Sequence, residues 1–350
     1  MIGRKTKVIK IGNRKIGGLN PILVQSMCST DTHNVSATAK QINSLEKEGC
    51  EIVRVAVLDM AAAKVLGRIK KQINIPLVAD IHFDFRLALE SIKQGVDKIR
   101  INPGNIGGEE RLAAVVLAAK KEGIPIRVGV NSGSLEQEIL KRDYGHVTAK
   151  GLVDSALRNI RLLEKFNFKN IVISIKSTDV PQTIEAYGLL SQKVDYPLHI
   201  GITEAGPLFS GTIKSAVGLG SLLASGIGGT IRVSLTADPI EEVRVAWEIL
   251  KALDLRKRGR EIISCPTCGR TQIDLISLAK KVEKATKDVK KPIKIAVMGC
   301  AVNGPGEARE ADIGVAGGKG IGIIFRKGKI IKTVKEKEIL VSLLNEIKKL

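Results

Sequence analysis

Residues 75–105 read IPLVADIHFDFRLALESIKQGVDKIRINPGN. The stretch holds two short apolar and β-branched runs, Leu77–Ile81 and Lys98–Asn102, which are typical of buried strands. Between them, Phe85–Lys93 carries apolar residues at helical spacing. The order strand, helix, strand predicts one β-α unit followed by the strand of the next unit, which is the repeat of a parallel sheet.

The same alternation continues through most of the chain. Further strands are predicted at Pro21–Ser26, Glu51–Ala56, Ile126–Asn131, Asn170–Lys176, Leu198–Thr203 and Gly229–Ser234. Further helices are predicted at Ser36–Glu48, Ala61–Lys71, Glu109–Glu122, Gly151–Phe166, Val180–Lys193, Thr212–Ser225 and Pro239–Leu253. Eight β-then-α units predict an α/β fold of the (β/α)8 TIM-barrel type. A doubly wound sheet is the alternative, but no G-x-G-x-x-G follows the first strand, so we favour the barrel.

A basic stretch that contains glycine, Lys251–Arg260, predicts a linker. The smaller part that follows it mixes predicted strands and helices. The strands are Glu261–Ser264, Ile293–Met298, Asp312–Ala316, Gly320–Arg326 and Ile330–Thr333, and the helices are Gln272–Lys287 and Glu336–Leu350. We therefore expect a barrel domain over residues 1–256 and a smaller α+β domain over residues 257–350.

The composition is strongly basic. The 350 residues include 56 Lys and Arg against 36 Asp and Glu, which gives a net charge of +20, and 44% are hydrophobic, which excludes global disorder. Aromatic residues make up only 3%, too few for the base-stacking surfaces of a single-strand nucleic-acid binder. We expect no nucleic-acid partner, and we interpret the excess lysines as solvated surface that attracts anions. A nucleic-acid-binding protein with a zinc knuckle is the competing interpretation.

No export or membrane segment is apparent in the sequence. The basic N-terminus is not followed by an apolar region, and the run Ala113–Ala119 is far shorter than the roughly 18 residues of a membrane span. Five cysteines, an odd number, argue for a reducing compartment rather than a disulfide framework. We expect a cytoplasmic protein without a membrane partner.

Two cysteine motifs lie in the C-terminal part: SCPTCGR, with Cys265 and Cys268, and GCAVNGPGE, with Cys300 and Glu307. A C-x-x-C turn can direct two sulfurs to one metal centre. A structural zinc wants four nitrogen or sulfur ligands, yet all four histidines lie in the barrel part. Three thiolates with one open or weaker position suit a [4Fe–4S] cluster. Zinc and coincidence stay open as alternatives on spacing alone.

Polar side chains occur at the ends of the predicted strands, where a barrel interior normally holds Val, Ile and Leu. They are Arg54, Asp80, His82, Arg100, Asn102, Arg127, Asn131, Lys176, His199, Glu204, Arg232 and Ser234. Active sites of such barrels lie at the C-terminal ends of the strands, so this set predicts a cationic cup with few acids. A diphosphate would neutralise it, because Arg binds phosphate oxygens in a bidentate manner. The alternative is that individual side chains form salt bridges or extend outward.

Seven motifs resemble the 4-hydroxy-3-methylbut-2-enyl diphosphate synthase family in its compact two-domain bacterial form. They are ADIHFD, IRINPGNIG, RVGVNSGSL, HIGITEAG, IRVSLTADP, SCPTCGR and VNGPGE. The resemblance extends from Gln25 to Asp312. It implies the reductive ring opening and dehydroxylation of 2-C-methyl-D-erythritol 2,4-cyclodiphosphate, a step of the methylerythritol phosphate route to isoprenoids. It also implies a small ferredoxin or flavodoxin as electron donor.

The resemblance assigns roles to individual residues. It implies that a [4Fe–4S] cluster is bound by Cys265, Cys268, Cys300 and Glu307, with Glu307 exchangeable when substrate arrives. The residues that it implies for the substrate are Arg54, Arg100, Asn102, Asn131, Lys176, Arg232 and Ser234, and the strand-end positions add Arg127 and His199. The polar residues near the reacting carbons, and hence the candidates for proton delivery, are Asp80, His82 and Glu204.

Barrel geometry predicts how the chain assembles. Strands run towards the mouth and helices run back, so the chain leaves the barrel at the face opposite the active site. A cluster domain at that face is not expected to cap its own barrel. We therefore expect a head-to-tail homodimer in which each cluster domain closes the partner's mouth, as members of the resembled family do.

The sequence departs from the family pattern at two places. QSMCST stands where the family has QSMTNT, which places Cys28 and Ser29 after the first strand, and Gly229 stands where the family has Asp. Cys50, at a helix-to-strand junction, is expected to be a small core residue, and we expect packing for Cys28 as well. A pterin- or sugar-phosphate-binding barrel with a structural metal is the remaining competing function.

Overall fold

The computed structural model describes residues 4–300 and 308–350. The chain forms two compact units, of which the first ends at Arg256 and the second spans Lys257–Leu350. Over the described residues, no helix is long and apolar enough to cross a membrane.

Eight parallel strands, counted over the described residues, form the barrel of the first unit. They are β3 (Leu23–Met27), β4 (Ile52–Val57), β5 (Leu77–Ile81), β6 (Lys98–Ile101), β7 (Ile126–Asn131), β8 (Ile171–Lys176), β9 (His199–Ile200) and β10 (Thr230–Ile231). Neighbours pair in chain order from β3 to β8, and β10 lies between β9 and β3. A parallel bridge between Ile173 and Leu198 joins β8 to the β9 segment and closes the ring. The predicted barrel is confirmed, and the open doubly wound sheet is wrong.

Helices follow the strands and cover the outside of the barrel. Their bounds are Val35–Glu48, Met60–Lys70, Phe85–Lys93, Glu109–Lys121, Ala149–Lys165, Val180–Ser191, Leu208–Ala224 and Pro239–Ala252. Side-chain caps start several of them, as where Asp59 accepts the Ala62 N–H. The short helix Gln137–Arg142 and the 3-10 turns Pro103–Asn105 and Ser132–Ser134 were not predicted.

A two-stranded hairpin precedes the barrel and was also not predicted. Its strands are β1 (Ile9–Ile11) and β2 (Arg14–Ile16), which pair antiparallel. Ile9, Ile11 and Ile16 pack on the early residues Leu23, Ile52, Val78 and Val172 of four barrel strands. The hairpin therefore closes the N-terminal end of the barrel with an apolar plug.

The last two barrel strands are shorter than predicted. Regular pairing stops at Ile200 and Ile231, although the Arg232 N–H still donates to the Ile200 carbonyl at 3.0 Å. The next residue, Gly201, lies so close to the Lys176 amine that a Cβ there would be 2.7 Å from Nζ. The strand loses its regular ladder where the lysine crosses its backbone.

The predicted linker Lys251–Arg260 is too long. The preceding helix continues to Ala252, and the next strand already begins at Arg260. Arg256 is fixed in between, because it donates to the Ile22 carbonyl at 2.6 Å and pairs with Glu51 at 3.1 Å. Only a few residues are left to connect the two units.

Over its described residues, the second unit is a five-stranded mixed sheet with helices. Its strands are β11 (Arg260–Ser264), β12 (Ile293–Met298), β13 (Ile313–Gly318), β14 (Ile321–Arg326) and β15 (Lys329–Lys335), in that spatial order, with the first three parallel and the rest antiparallel. The helices are Leu275–Ala285 and Ile339–Ile347, the second preceded by a 3-10 turn at Glu336–Glu338. The first helix starts later than predicted because Asp274 caps it, accepting the Ser277 N–H. This confirms the smaller α+β unit after the barrel.

Candidate active site

The barrel interior changes from apolar to polar within two residues along each of several strands. The apolar layer that contacts the hairpin is Leu23, Ile52, Val78 and Val172. Strand residues alternate between the interior and the helices, so the residues two positions later also face inward. These include Gln25, Arg54 and Asp80, all of which are buried. The sequence therefore builds a polar cup directly on an apolar floor.

Asp80 of β5 lies at the centre of the cup. Its Oδ1 accepts from Arg100 Nη1 at 3.1 Å, and its Oδ2 lies 3.6 Å from Arg54 Nε. His82 Nε2 is 2.8 Å from the same Arg100 nitrogen and 3.7 Å from Asp80 Oδ1. Burial acts to raise the pKa of Asp80, but Arg54, the hydrogen bond to His82 and Arg100 outweigh it and hold that pKa well below its usual range. Asp80 is therefore an ion that holds two arginines in place.

Arg54 of β4 spans the cup towards β3. Its Nε and Nη2 lie 3.1 and 2.9 Å from the Met27 sulfur, a weak acceptor. Burial lowers the pKa of Arg54 to about 10 despite the opposing effect of Asp80. A second anion would stabilise this guanidinium.

Arg127 and Lys176 carry positive charge where it is poorly compensated. Arg127 is 1% exposed, and its Nε and Nη1 have no hydrogen-bond partner among the described residues. Burial first, then Arg54 and Arg100, lower the pKa of Arg127 well below its usual value. Burial and the neighbouring arginines, led by Arg127, do the same to Lys176. These donors are arranged for a ligand with acceptor oxygens.

His199, which was expected at the rim, lies lower. It is the first residue of β9, level with Thr230 and Leu23, and it is fully buried. Its Nδ1 contacts Thr230 Oγ1 at 2.8 Å, and its backbone carbonyl accepts the Tyr187 hydroxyl at 2.6 Å. Burial, Arg127 and Lys176 lower its pKa well below the usual value, so the imidazole is neutral. This position supports the layer beneath the cup rather than the rim.

Arg232 is held by a carboxylate that sequence reasoning missed. Glu242, on the helix Pro239–Ala252, is 5% exposed and lies 3.3 Å from Arg232 Nη2. The same carboxylate accepts from the Ser26 hydroxyl at 3.0 Å and from the Leu235 N–H at 3.1 Å. One indication of a role in the cup was present in the sequence, which is that Glu242 lies in TADPIEE, just after a strand end. A glutamate in the first turn of a helix is usually solvated, however.

The remaining predicted residues lie on the loops above. Asn102 accepts the Gly104 N–H at 3.1 Å and so shapes the 3-10 turn, whereas Asn131 ends β7 and Ser234 follows β10. Glu204 is exposed and adopts φ +50°, a left-handed conformation that costs energy outside glycine. Most of the predicted residues therefore lie at or just beyond the C-terminal ends of the barrel strands.

Charge is strongly unbalanced in this cup. Among the described residues, the cations are Arg54, Lys98, Arg100, Arg127, Lys176 and Arg232, and the carboxylates that contact them are Asp80 and Glu242. Lys98 was not among the predicted residues, although it stands two positions before Arg100 on the same strand. The excess of positive charge in a buried polar cup is the electrostatic property of an anion-binding site.

The three C-terminal cysteines lie on two loops that are tied together. Cys265 Sγ accepts the Gly299 N–H at 3.2 Å, directly beside Cys300, and the Gln272 N–H donates to the Gly299 carbonyl at 2.9 Å. Cys268 is exposed, and backbone and side-chain hydrogen bonds from Arg270 lower its pKa. A lowered thiol pKa favours the thiolate, which is the metal-binding form.

These donors fit an iron–sulfur centre by their chemistry. Glu307 lies outside the described residues, and over the described ranges no three His, Cys, Asp or Glu side chains are grouped closely enough to hold a metal ion. The two loops nevertheless bring three thiols, and no histidine, to one end of the sheet β11–β12. That donor set suits iron–sulfur ligation better than a four-ligand zinc site.

Cys28 and Cys50 belong to the barrel core. Both are buried, 8% and 2% exposed, and burial is the main cause that raises the pKa of each to about 12. The expected packing role of both residues is confirmed.

Two family models cover nearly all of the sequence. The GcpE TIM-barrel domain matches residues 6–247, and the GcpE protein C-terminal domain matches residues 261–349. The chain belongs to the GcpE family. The family expected from the seven motifs is thereby confirmed.

Members of the GcpE family from several bacteria are similar over their whole length. The protein of Caldanaerobacter subterraneus subsp. tengcongensis is 66% identical over 345 residues, 99% of this chain and 97% of that protein. Those of Fusobacterium nucleatum and Geobacter sulfurreducens are 59% and 57% identical over 347 and 346 residues, 99% of this chain and 97% and 98% of theirs. All three are named 4-hydroxy-3-methylbut-2-en-1-yl diphosphate synthase (flavodoxin).

Solved structures outside the GcpE family share the barrel. Dihydropteroate synthase of Yersinia pestis is similar with a TM-score of 0.51 at 12% identity, covering 71% of this chain and 98% of that one. The Plasmodium falciparum HPPK-DHPS structure gives 0.52 at 11% identity, covering 71% and 50%. At such identities the likeness concerns the fold alone.

Proposed function

We propose that this chain catalyses the two-electron reductive ring opening and dehydroxylation of 2-C-methyl-D-erythritol 2,4-cyclodiphosphate to 4-hydroxy-3-methylbut-2-enyl diphosphate. Its membership of the GcpE family, whose relatives carry that enzyme's name, supports the reaction. The observation that carries the proposal is the cationic cup, in which buried arginines and lysines outnumber carboxylates at the strand ends. A cyclic diphosphate supplies the missing negative charge.

The hydrogen-bond donors of the cup form two groups, one for the phosphate oxygens and one that surrounds the rest of the substrate. The first candidates to bind phosphate oxygens are Arg100, Arg127 and Arg232, since each has a buried Nε with no hydrogen-bond partner in the described part of the chain. Arg54, Asn102, Asn131, Lys176 and Ser234 complete the set that surrounds the substrate. Holding the freed diphosphate in this way keeps the ring-opened product in place while reduction is completed.

Acid–base roles follow from the contacts. Asp80 stays ionised and engaged with Arg54 and Arg100, so we assign it to positioning those arginines rather than to proton donation. His82 has 55% of its side chain exposed, and Glu204 is exposed on the opposite loop. Both side chains are open to solvent and are our candidates to protonate the leaving hydroxyl, which then departs as water.

Cys265, Cys268, Cys300 and Glu307 are the residues that would hold a [4Fe–4S] cluster. When bound, such a cluster supplies electrons one at a time and a Lewis-acidic iron for a substrate oxygen. We propose flavodoxin or ferredoxin as the donor. The second unit supports this, because its 94 residues hold 21 Lys and Arg against 10 Asp and Glu, a net charge of +11 that attracts acidic carriers.

A head-to-tail homodimer is part of the proposal. Arg256 contacts Ile22 and Glu51, which lie just before β3 and β4, so the chain leaves the barrel at the face opposite the cup. Only eight residues separate Arg256 from Cys265, and a fully extended chain advances at most about 3.6 Å per residue. So short a connection limits how far Cys265 can lie from Arg256 of the same chain, whereas a cluster domain supplied by the partner subunit is not limited in this way. All five cysteines are free, which supports a reducing, cytoplasmic location.

The activity is tested with anaerobically purified, cluster-loaded protein. Incubation with the cyclic diphosphate and reduced flavodoxin should yield 4-hydroxy-3-methylbut-2-enyl diphosphate, detected by mass spectrometry. The preparation should be brown and should bleach with dithionite. A zinc-containing, colourless preparation, or a brown one that leaves the substrate unchanged, would contradict the proposal.

Mixing two inactive variants tests the dimer. Cys300→Ser removes a cluster ligand and leaves the cup intact, whereas Arg100→Met damages the cup and leaves the cysteines intact. If sites form between subunits, random pairing restores about a quarter of wild-type activity, because half of the dimers are mixed and each holds one complete site. No recovery in a mixture that sedimentation shows to exchange subunits would place each cup and cluster on the same chain.

A further inference from the structure

Lys98 is a buried lysine that neither the predicted site nor the proposed mechanism uses. It is the first residue of β6, two positions before Arg100, and it is 0% exposed. Its Nζ donates to Gln25 Oε1 at 3.4 Å, a long hydrogen bond to a neutral amide. Within the described residues no carboxylate lies within ion-pair distance of it. An ammonium in such a place would be desolvated without compensation, which is costly.

The charged neighbours of Lys98 make that cost larger. Arg127 on β7 and Arg54 on β4 are the cations that act on it, and arginine does not give up its proton in proteins. Lys98 is level with Val78, so Asp80 lies two residues further along β5, where Arg54 and Arg100 already engage it. His199 is close enough to interact with Lys98 electrostatically, but it is a neutral ring, and its Nε2 has no hydrogen-bond partner within the described ranges.

Lysine is the group that can relieve this crowding of charge, because its amine can become neutral. Burial, followed by the charges of Arg127 and Arg54, lowers the pKa of Lys98 well below its usual value. The arrival of a dianion reverses the balance, since each phosphate charge favours the protonated amine. Lys176 is subject to the same causes, but it lies at the C-terminal end of β8 and belongs to the substrate-binding set.

We propose that Lys98 is an uncharged positioning residue beneath the empty cup and takes up a proton when the diphosphate binds. The proton comes from solvent and stays on Nζ, so the substrate meets a cup whose charge rises only on binding. Lys98 does not touch the substrate; it adjusts the field under Arg127 and Arg54. This inference rests on the proposed function, because it takes the cyclic diphosphate as the ligand.

Calorimetry in several buffers tests the proposal directly. The cyclic diphosphate is titrated into oxidised, cluster-loaded dimer at one pH in buffers of different ionisation enthalpy. The slope of the observed heat against buffer enthalpy gives the number of protons taken up. We expect up to about one proton more for wild type than for Lys98→Met or Lys98→Gln. Above neutrality, the substrate Kd should rise with pH by up to about tenfold more per pH unit in wild type than in either Lys98 variant. Lys193→Met, an exposed lysine of the same barrel, is the matched control and should behave as wild type.

A substrate-free measurement provides an independent readout. A lysine with a lowered folded-state pKa binds fewer protons folded than unfolded, so it destabilises the fold increasingly as the pH falls below about 10.4. Lys98→Met should therefore be more stable than wild type near pH 7, and the difference should shrink towards pH 10. A merely structural lysine would give a variant that is less stable at every pH.

The outcomes separate the inference from the function. If wild type and both Lys98 variants bind the cyclic diphosphate with equal proton uptake, the inference is wrong and the function stands. If uptake falls by up to about one proton in the Lys98 variants and keeps its wild-type value in Lys193→Met, the inference is supported. If cluster-loaded wild type does not bind the cyclic diphosphate, the proposed function fails and the inference falls with it.

Discussion

Replacing Asp80 by Asn tests whether the cup is an assembly of cations held by one central anion. Asp80 contacts Arg100 at 3.1 Å and Arg54 at 3.6 Å, and it is 6% exposed. Asn has nearly the same size and keeps one acceptor oxygen. The substitution therefore removes the negative charge and leaves the packing largely unchanged.

The expected magnitude follows from the burial of the partners. Removing one member of a buried ion pair costs about 3–5 kcal/mol, because the partner charge is left uncompensated. The retained amide oxygen argues for the lower end of that range. One kcal/mol shifts Tm by about 2–4 °C in a domain of this size, so Asp80→Asn should unfold about 6–12 °C below wild type.

Scanning calorimetry of the substrate-free protein at pH 7 measures this shift. Glu138→Gln is the matched control, because it also removes a carboxylate from an arginine pair, Arg158–Glu138, but on the surface. Surface pairs contribute little, so the control should unfold with wild type. Inorganic pyrophosphate should raise Tm more in Asp80→Asn than in wild type, since it supplies the missing anion.

The pH dependence gives the sign of the effect. The pKa of Asp80 lies well below its usual range, so its stabilisation is fully present above the unfolded-state value of about 3.9 and is lost as the pH falls towards the folded-state value. The Tm difference should be constant between pH 5 and 8 and should shrink in acid. A variant that unfolds with wild type, or a difference that changes between pH 8 and 5, would refute the assignment of Asp80 as the anchoring anion.

Three further measurements address the rest of the molecule. In cluster-free protein, a thiol reagent at pH 8 should label Cys268 first and reach Cys28 and Cys50 only on unfolding, because burial raises the pKa of the latter two to about 12. Mass spectrometry of the labelled peptides gives the order of labelling. Early labelling of Cys28 would contradict its packing role. Ile11→Ala should cost about 2–5 kcal/mol in denaturant unfolding, and a smaller loss would mean that the hairpin plug is dispensable. Glu242→Gln should raise KM for the cyclic diphosphate by loosening its arginine partner, and an unchanged KM would show that the arginine is positioned without it.

The barrel strands were predictable because their residue types leave few alternatives. Runs such as Ile126–Asn131 and Ile171–Lys176 are β-branched over half or more of their length, which is typical of buried parallel strands. The hairpin β1–β2 escaped prediction for the opposite reason. Its strands, IKI and RKI, are three residues long and mix isoleucine with basic residues, so its apolar face becomes evident only when the barrel floor is present.

The cup was predicted as a set of strand-end residues, but its internal order was not. Period-two alternation identifies which residues face inward and does not say how deeply each lies. His199 and Glu242 show the consequence: the first lies a layer lower than expected, and the second reaches the cup from a helix. Depth depends on the stagger of neighbouring strands, which is a property of the closed barrel rather than of any one segment.

Lys98 is a further residue whose depth in the barrel decides its role. In the sequence, Lys98 is one of many lysines, and most lysines of a folded protein are solvated. In the barrel it is the inward residue just below Arg100, since residues two apart on a strand share a face. The same alternation that exposes Arg100 to the substrate buries Lys98 beneath it, among Arg54 and Arg127. If Arg100 binds phosphate as we propose, the same strand places its preceding inward residue, Lys98, where its protonation would respond to the bound phosphate.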